Sequence, residues 1–323
     1  LTLFFLFTVL APASMLWGQN TYVPDDNFEQ ALIDLGYDDT LDDFVLTANI
    51  SGVTNLVVND KEISDLTGIE DFTALTYLYC DQNQLTALDV SSNTALTKLF
   101  CGSNEITSLD VSANTALEEL HCNNNSLTSL DVSSNTALAF LNCNGNDITS
   151  LGVSANSALT NLQCGSNEIT SLDVSSNTAL TNLNCGNNNL TSLDVSANTA
   201  LIEFGCHVNQ LTSLDVSANT ALTILSCYMN EITSLDVSAN TALTYLNCYY
   251  NQLTTLDVSN NTALTHLDCP SNQLIHLNMK NGVTDQLTEF DATENDLSCI
   301  ETLDPDYATE NWTYANGNID EGV

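Results

Sequence analysis

The sequence predicts a repeat solenoid: an arc with a parallel β-sheet on its concave face, short extended or 3₁₀ segments on its convex face, and a helical cap at its N-terminal end. Three observations predict it. Cysteine recurs every 21 residues, ten times in succession, at Cys80, Cys101, Cys122, Cys143, Cys164, Cys185, Cys206, Cys227, Cys248 and Cys269. Around each cysteine runs the frame L-T-x-L-x-C-x-x-N-x-L-T-S-L-D-V-S-x-N-T-A, in which apolar positions 4 and 6 alternate as in a strand with one buried face. Ahead of the repeats, residues 24–36 (PDDNFEQALIDLG) have the pattern of one short helix.

The elements follow in order. Residues 1–17 (LTLFFLFTVLAPASMLW) are apolar and uncharged. They read as a secretory signal, residues 1–18, cleaved after Gly18. No other stretch is apolar enough to enter a membrane once it is removed. That places the mature chain outside the cell, secreted or on a surface. Residues 19–52 form the N-terminal cap. Asp25 or Asp26 starts the helix, Phe28, Ala31, Leu32 and Leu35 give it an apolar face, and Gly36 stops it. Asp38, Asp39, Asp42 and Asp43 follow in a loop that reads as solvated acid. Ca²⁺ is the alternative there, although the spacing of a D-x-D-x-D-G loop is missing.

Residues 53–298 hold about twelve units, ten regular and two degenerate, the latter with Val58 and Ala292 in the cysteine place. Each unit adds one parallel strand, and no unit can bury its face alone. At about 4.8 Å per strand the sheet runs on the order of 50 Å. The return of about a dozen residues is too short for a helix. Residues 299–323 form a C-terminal flank that reads as cut short.

Three side-chain ladders come with the period. The cysteines point inward and stack at strand spacing, farther apart than the ~3.8 Å between Cβ atoms that a disulfide needs. They read as free, buried thiols acting as small apolar residues. Asparagine fills position 9 from Asn83 to Asn272 and position 19 from Asn93 to Asn261, where its amide can bond turn backbone. Aspartate fills position 15 at Asp89, Asp110, Asp131, Asp173, Asp194, Asp215, Asp236 and Asp257, interrupted by Gly152. Each reads as a cap on the turn that follows it, with Ca²⁺ between neighbouring carboxylates as the alternative.

The motif L-x-x-L-x-C-x-x-N-x-L resembles the leucine-rich repeat, with Cys where Leu is usual. The 21-residue length, PDDNFEQALIDLG, ISDLTGIEDFTAL (63–75) and LSCIETLDPDYATENWT (297–313) resemble secreted, internalin-like bacterial proteins. The resemblance implies a binding scaffold and leaves the partner open.

Composition narrows the function. Against 41 Asp and Glu stand three Lys (Lys61, Lys98, Lys280) and no Arg, for a net charge of -38. Nucleic acid is excluded as a partner, since phosphate contacts need clustered cations. With 43% hydrophobic residues the chain is no disordered acidic tail. There is no G-x-S-x-G, no H-E-x-x-H and no Gly-rich phosphate loop, and the four His sit singly at four different positions of the frame. The chain reads as no enzyme, with no cofactor.

Variation among the units marks the surface. Positions 1, 4, 6, 9, 11, 12 and 14–17 barely change, whereas 3, 5, 7, 8 and 10 vary. Positions 3, 5 and 7 face the concave side. Ile224, Tyr228, Met229, Tyr245, Tyr249 and Tyr250 cluster there with His207 and Val208, and Tyr77, Tyr79, Phe100 and Phe140 form a second patch. Exposed aromatics on a fixed scaffold suit a protein partner, neutral or basic given the charge, in adhesion or another interaction. Two alternatives stand beside it: a neutral glycan stacked on the tyrosines, and a spacer or targeting module of a larger secreted protein.

Overall fold

A computed structural model describes residues 18–323 of the chain. The signal-sequence reading lies outside these residues, Gly18 excepted. Strand Asn20–Tyr22 pairs antiparallel with Phe44–Leu46, and the helix Asp26–Asp34 lies between them in sequence. Asp25 caps the helix: its Oδ1 accepts the N–H groups of Asn27 and Phe28 at 3.0 and 2.9 Å. Its Oδ2 accepts from the N–H and hydroxyl of Ser64 at 2.8 and 2.7 Å, and so pins the cap to the first unit. Phe28, Ala31 and Leu32 are buried, but Leu35 is 44% exposed. Leu35 is the C-cap just past the helix, and the chain turns there: Gly36 has φ +79°, its N–H donates to the Ile33 carbonyl and that of Tyr37 to the Leu32 carbonyl. The Leu35 side chain therefore leaves the apolar face expected for it. Glu29 is buried, and its Oε1 accepts from the N–H groups of Asp42 and Phe44, which ties down the acidic loop.

Twelve strands make one sheet, from Asn55–Val57 at one edge to Glu289–Asp291 at the other, all parallel. Register is in phase with the repeat: Asn161 stands beside Asn182, Leu162 beside Leu183 and Gln163 beside Asn184. The middle residue of each triplet is buried and its two neighbours point out, as the alternation predicts. All ten ladder cysteines are fully buried and free, whereas Cys299 is exposed. Burial pushes the thiols of Cys143, Cys185 and Cys227 up to about 12, which keeps them protonated and unreactive.

Each position-9 asparagine joins two units. Asn104 donates its Nδ2 to the carbonyls of Cys80 and Cys101, at 3.1 and 3.2 Å, and its Oδ1 accepts the N–H of Leu85 at 3.0 Å. In the second row, Asn114 donates to the carbonyls of Val90 and Asn93, at 3.0 and 2.9 Å. These contacts satisfy backbone carbonyls in the buried turns, which would otherwise be left without a partner.

The return is extended with two tight turns, such as Asn93 N–H to Val90 carbonyl and Leu96 N–H to Asn93 carbonyl. Within the described repeats, 3₁₀ helix is confined to Ile69–Asp71. Elsewhere the convex side gains short parallel pairings instead, as between Leu130–Asp131 and Leu151–Gly152. The aspartates cap the turns. Oδ1 of Asp89 accepts the Ser91 N–H at 2.9 Å, and the same bond recurs through Asp257. The Ser91 hydroxyl and N–H hold the Asp89 carboxyl below its usual range. Among the described residues no group of three or more His, Cys, Asp or Glu is arranged to hold a metal ion.

The C-terminal flank closes the open edge of the array. The Asn318 carbonyl accepts the Ala292 N–H, and the Asp320 carboxylate accepts those of Glu294 and Asn295. Asp304 caps the helix Pro305–Asn311, and buried Trp312 meets Phe290 with ring centroids 4.5 Å apart.

Candidate binding surface

Parallel strands in phase set identical positions of neighbouring units about 4.8 Å apart, close to the spacing at which aromatic rings pack face to face. Aromatic residues at one position of successive units must therefore stack. They do so twice on the concave side. Tyr79, Phe100 and His121, all at position 5, stack at 4.5 and 4.3 Å, and His121 then stacks on Phe140 at 4.6 Å. His207, Tyr228 and Tyr249, all at position 7, stack at 4.6 and 4.5 Å.

The first run is internally paired. Glu119 accepts from Lys98 Nζ at 2.7 Å and meets His121 Nε2 at 3.0 Å. Burial alone would raise the Glu119 carboxyl, but Lys98 and His121 outweigh it and lower it. Lys98 also lies 5.9 Å above the Tyr77 ring. The polar middle is paired as well: Gln163 donates to Asn161 at 2.8 Å, and Asn182 to Glu203 at 2.7 Å.

The second run is not paired in this way. The His207 ring lies over Gly186, where a Cβ would meet it at 2.4 Å, so any larger residue there would have to displace the ring. Its Nδ1 is buried without a hydrogen-bond partner, and burial lowers its pKa. Burial, with Tyr249 and Tyr245 beside it, raises the Tyr228 phenol. Three phenols thus converge. Between the position-3 residues Ile224 and Tyr245 and the position-7 residues Tyr228 and Tyr249 lie the position-5 residues Gly205, Ser226 and Asn247. Asn247 reaches the Tyr245 hydroxyl at 3.3 Å.

The turn that follows position 7 carries backbone strain. Position 8 adopts the left-handed conformation in every regular unit, with φ between 52° and 66°. Three units fill it with residues that tolerate the fold-back, Asn124, Gly145 and Asn187, and four with the polar Gln82, Ser103, Ser166 and Ser271. Three successive units instead place Val208, Met229 and Tyr250 there, at φ 52°, 53° and 53°. A non-glycine residue costs about 1–2 kcal/mol in this region, and a β-branched one is an outlier. Met229 and Tyr250 are 41% and 61% exposed, so the core gains little from them. Strain kept for exposed apolar side chains beside an aromatic stack marks a surface used for contact.

The structure thus brings Tyr228, Tyr249 and His207 into one stack and sets Met229, Tyr250 and Val208 along its rim. Ile224 and Tyr245 lie side by side at position 3, on the far side of position 5 from the stack. Tyr245 pairs with His266, its ring centroids 5.7 Å away, rather than with the stack. In the second patch Tyr79, Phe100 and Phe140 join through His121, which belongs with them, while Tyr77 stands aside under Lys98. Sequence reasoning missed His121 and His266 as members of these aromatic contacts; their places at positions 5 and 3 were the available signal. Because stacked rings cover one another, the exposed parts of both runs are ring edges and hydroxyls.

No model of a known protein family matches the chain. Among solved structures, the functional domain of InlJ from Listeria monocytogenes, which includes a cysteine ladder, superposes with a TM-score of 0.81 at 38% identity. The match covers 87% of this chain and 68% of that one. An internalin, InlF, from Listeria monocytogenes strain 4b F2365 superposes with a TM-score of 0.72 at 25% identity, over 86% of this chain and 92% of that one. In sequence, 74 residues are 42% identical to internalin J of Listeria monocytogenes serotype 4b (strain F2365), which is 23% of this chain and only 8% of that protein's length.

Proposed function

The chain belongs to the internalin-like family of leucine-rich repeat proteins, and from that premise we propose that it is a non-catalytic interaction module that binds a protein partner on its concave sheet. The observation that carries this reading is the stretch from His207 to Tyr250, where an aromatic stack with an unpaired His207 Nδ1 meets apolar side chains held at left-handed positions. The scaffold underneath is the same Leu and Cys core as elsewhere, so these side chains are free to be chosen for contact. Tyr supplies large contact area at low entropic cost and a hydroxyl for hydrogen bonds.

The apolar residues 1–17 support a secretory leader, and with it a secreted or surface location for the cap, the repeats and the flank from 299 onward. Among the described residues no helix is long and apolar enough to cross a membrane. The net charge of -38 favours a neutral or basic partner. A glycan platform has less support, because sugars stack on ring faces and the faces of Tyr228 and Phe100 are covered by their neighbours.

The test is a parallel screen of the parent chain and its Tyr249→Ala and Tyr250→Ala variants against a panel of surface proteins and a glycan array. A protein bound by the parent and lost by the variants supports the reading. Partners that all three chains bind equally, or binding confined to glycans, would overturn it.

A further inference from the structure

One carboxylate in the cap has half of its bonding capacity unused. Glu29, on the helix Asp26–Asp34, is 0% exposed. Its Oε1 accepts the N–H groups of Asp42 and Phe44 at 2.9 and 3.0 Å, which sets the carboxylate beneath the acidic loop. Its Oε2 is buried there without a hydrogen-bond partner, and so is the Oδ2 of Asp38. A buried carboxylate oxygen with nothing to accept is costly, because burial has taken away its water. Asp38 lines a hollow of ≈ 300 Å³ together with Tyr37, Asp39, Thr40, Asp42 and Asn49. Burial raises the Asp38 carboxyl, and the charges of Glu29, Asp42 and Asp39 add to this. No positive side chain offsets them. Salt bridges among the described residues hold Lys98 and His121 to Glu119, and Lys280 and His276 to Glu301, and none reaches the cap.

We propose that Glu29 and Asp38 hold one hard divalent cation at the base of this loop. The inference does not depend on the concave face. A site built of oxygen atoms alone suits Ca²⁺, which takes about six to eight of them and accepts carboxylates, carbonyls, amides and water together. Two inward carboxylates are fewer than the three that would mark a preformed metal centre. The ion is therefore drawn in by the buried charge and completes its shell with neutral oxygens. Asn49 stands ready among these, because its Nδ2 donates to the Tyr37 carbonyl at 2.8 Å and so fixes its amide beside the hollow. The ion would join the helix, the loop and the strand Phe44–Leu46, which Glu29 already links. Phe28, Leu32 and Val45 on these elements belong to the core that the cap lays over the first unit, so binding stabilises that end of the array.

Thermal melts of the full chain, stripped with a chelator and titrated with Ca²⁺, test this. The melting temperature should rise between about 0.1 and 10 mM, the range in which extracellular Ca²⁺ modules fill. Asp38→Asn keeps the size of the side chain and removes its charge, and should weaken the response about tenfold or more. Asp194→Asn, in the convex aspartate row, should leave the response as it is in the parent. Terbium(III), which takes the same ligands and emits when a neighbouring tyrosine is excited, should light up in the parent and lose most of its emission in Tyr37→Phe. A rise that Asp38→Asn retains in full would be an effect of Ca²⁺ on the net charge or on the convex row, and would overturn the inference. No rise at about 10 mM, with Glu29→Gln as stable as the parent, would mean that a proton or water satisfies the Oε2, and would overturn it equally.

Discussion

The two aromatic runs are built by one rule and have different fates. Both arise because in-phase strands force like positions to stack, and their ring spacings are the same within 0.3 Å, from 4.3 to 4.6 Å. Around the first run the polar groups are matched: Lys98, Glu119 and His121 form a closed set, and the left-handed positions beside it hold Gln82, Ser103, Asn124 and Gly145. Around the second, the His207 Nδ1 is unmatched, and the left-handed positions hold Val208, Met229 and Tyr250. Stacking by itself therefore says nothing about binding, since the scaffold imposes it wherever rings recur. What separates the second run is that apolar side chains occupy its left-handed positions and that one polar group in it, the His207 Nδ1, is unmatched.

The comparison assumes one uniform scaffold beneath both runs, and thiol chemistry tests that with the largest effect. A disulfide reagent should label Cys299 rapidly and leave the ten ladder thiols untouched until the chain unfolds, when all ten react. Early labelling of Cys206, Cys227 and Cys248 alone would show a looser C-terminal half and break the comparison. Ladder cysteines found paired in denatured, non-reduced chains would refute the thiol column itself.

Substitution comes next. Tyr249→Ala should cost about 2 kcal/mol of partner binding with little change in melting temperature. Phe100→Ala should do the reverse, leaving binding in place and removing two stacked contacts worth about 1 kcal/mol each to the fold. Both can be read from titration calorimetry and thermal melts of the same samples. If Phe100→Ala weakens binding as much, the first run is part of the site.

Strain is smaller and has a sign opposite to most mutations. Val208→Asn should stabilise the chain by about 1 kcal/mol in urea unfolding, because Asn tolerates the left-handed region. Asn187→Val, the same position one unit earlier, should destabilise it by a similar amount. A Val208→Asn chain that is less stable than the parent would mean that Val208 is held for packing rather than for contact.

Acid should distinguish the runs by window, with the smallest effect. His207 has its pKa lowered by burial, so the unfolded chain takes up its proton first. That contribution to stability is whole above the ordinary 6.5 of histidine and declines as pH falls below it. Glu119 is also lowered, and its contribution is whole above the ordinary 4.5 of a glutamate and is lost only as pH falls below that. His207→Asn should flatten the stability profile between pH 7 and 5, and Glu119→Gln should flatten it below. Profiles that change in the same window would remove this difference between the runs.

The fold was legible because a period is a statement about neighbours. Ten copies of one frame left no choice but in-phase strands, and the Cys, Asn and Asp ladders followed from what each side chain can bond. The site was legible only as a set of names. That Tyr249 stacks, Tyr250 stands on the rim and Tyr245 turns to His266 depends on which way each position faces, and three adjacent tyrosine-bearing positions look alike in one dimension. The left-handed backbone at position 8 was hidden for another reason. Gln82 and Ser103 give no hint of it, and Gly145, Asn124 and Asn187 hint only once the units are aligned.

The position-9 asparagines bond within their own unit and to the one before it, and to nothing farther away. Each joint along the array is therefore interchangeable with the next. Removing or inserting one whole 21-residue unit from the polar middle rebuilds the same joint at the cut. The chain is in this sense a ruler graduated in steps of about 4.8 Å. A lineage that gains or loses units by recombination between copies can change the distance from the cap to the second aromatic run without altering either. Nearly identical copies make that recombination easy, so the length of this array is a quantity that selection can adjust in single steps.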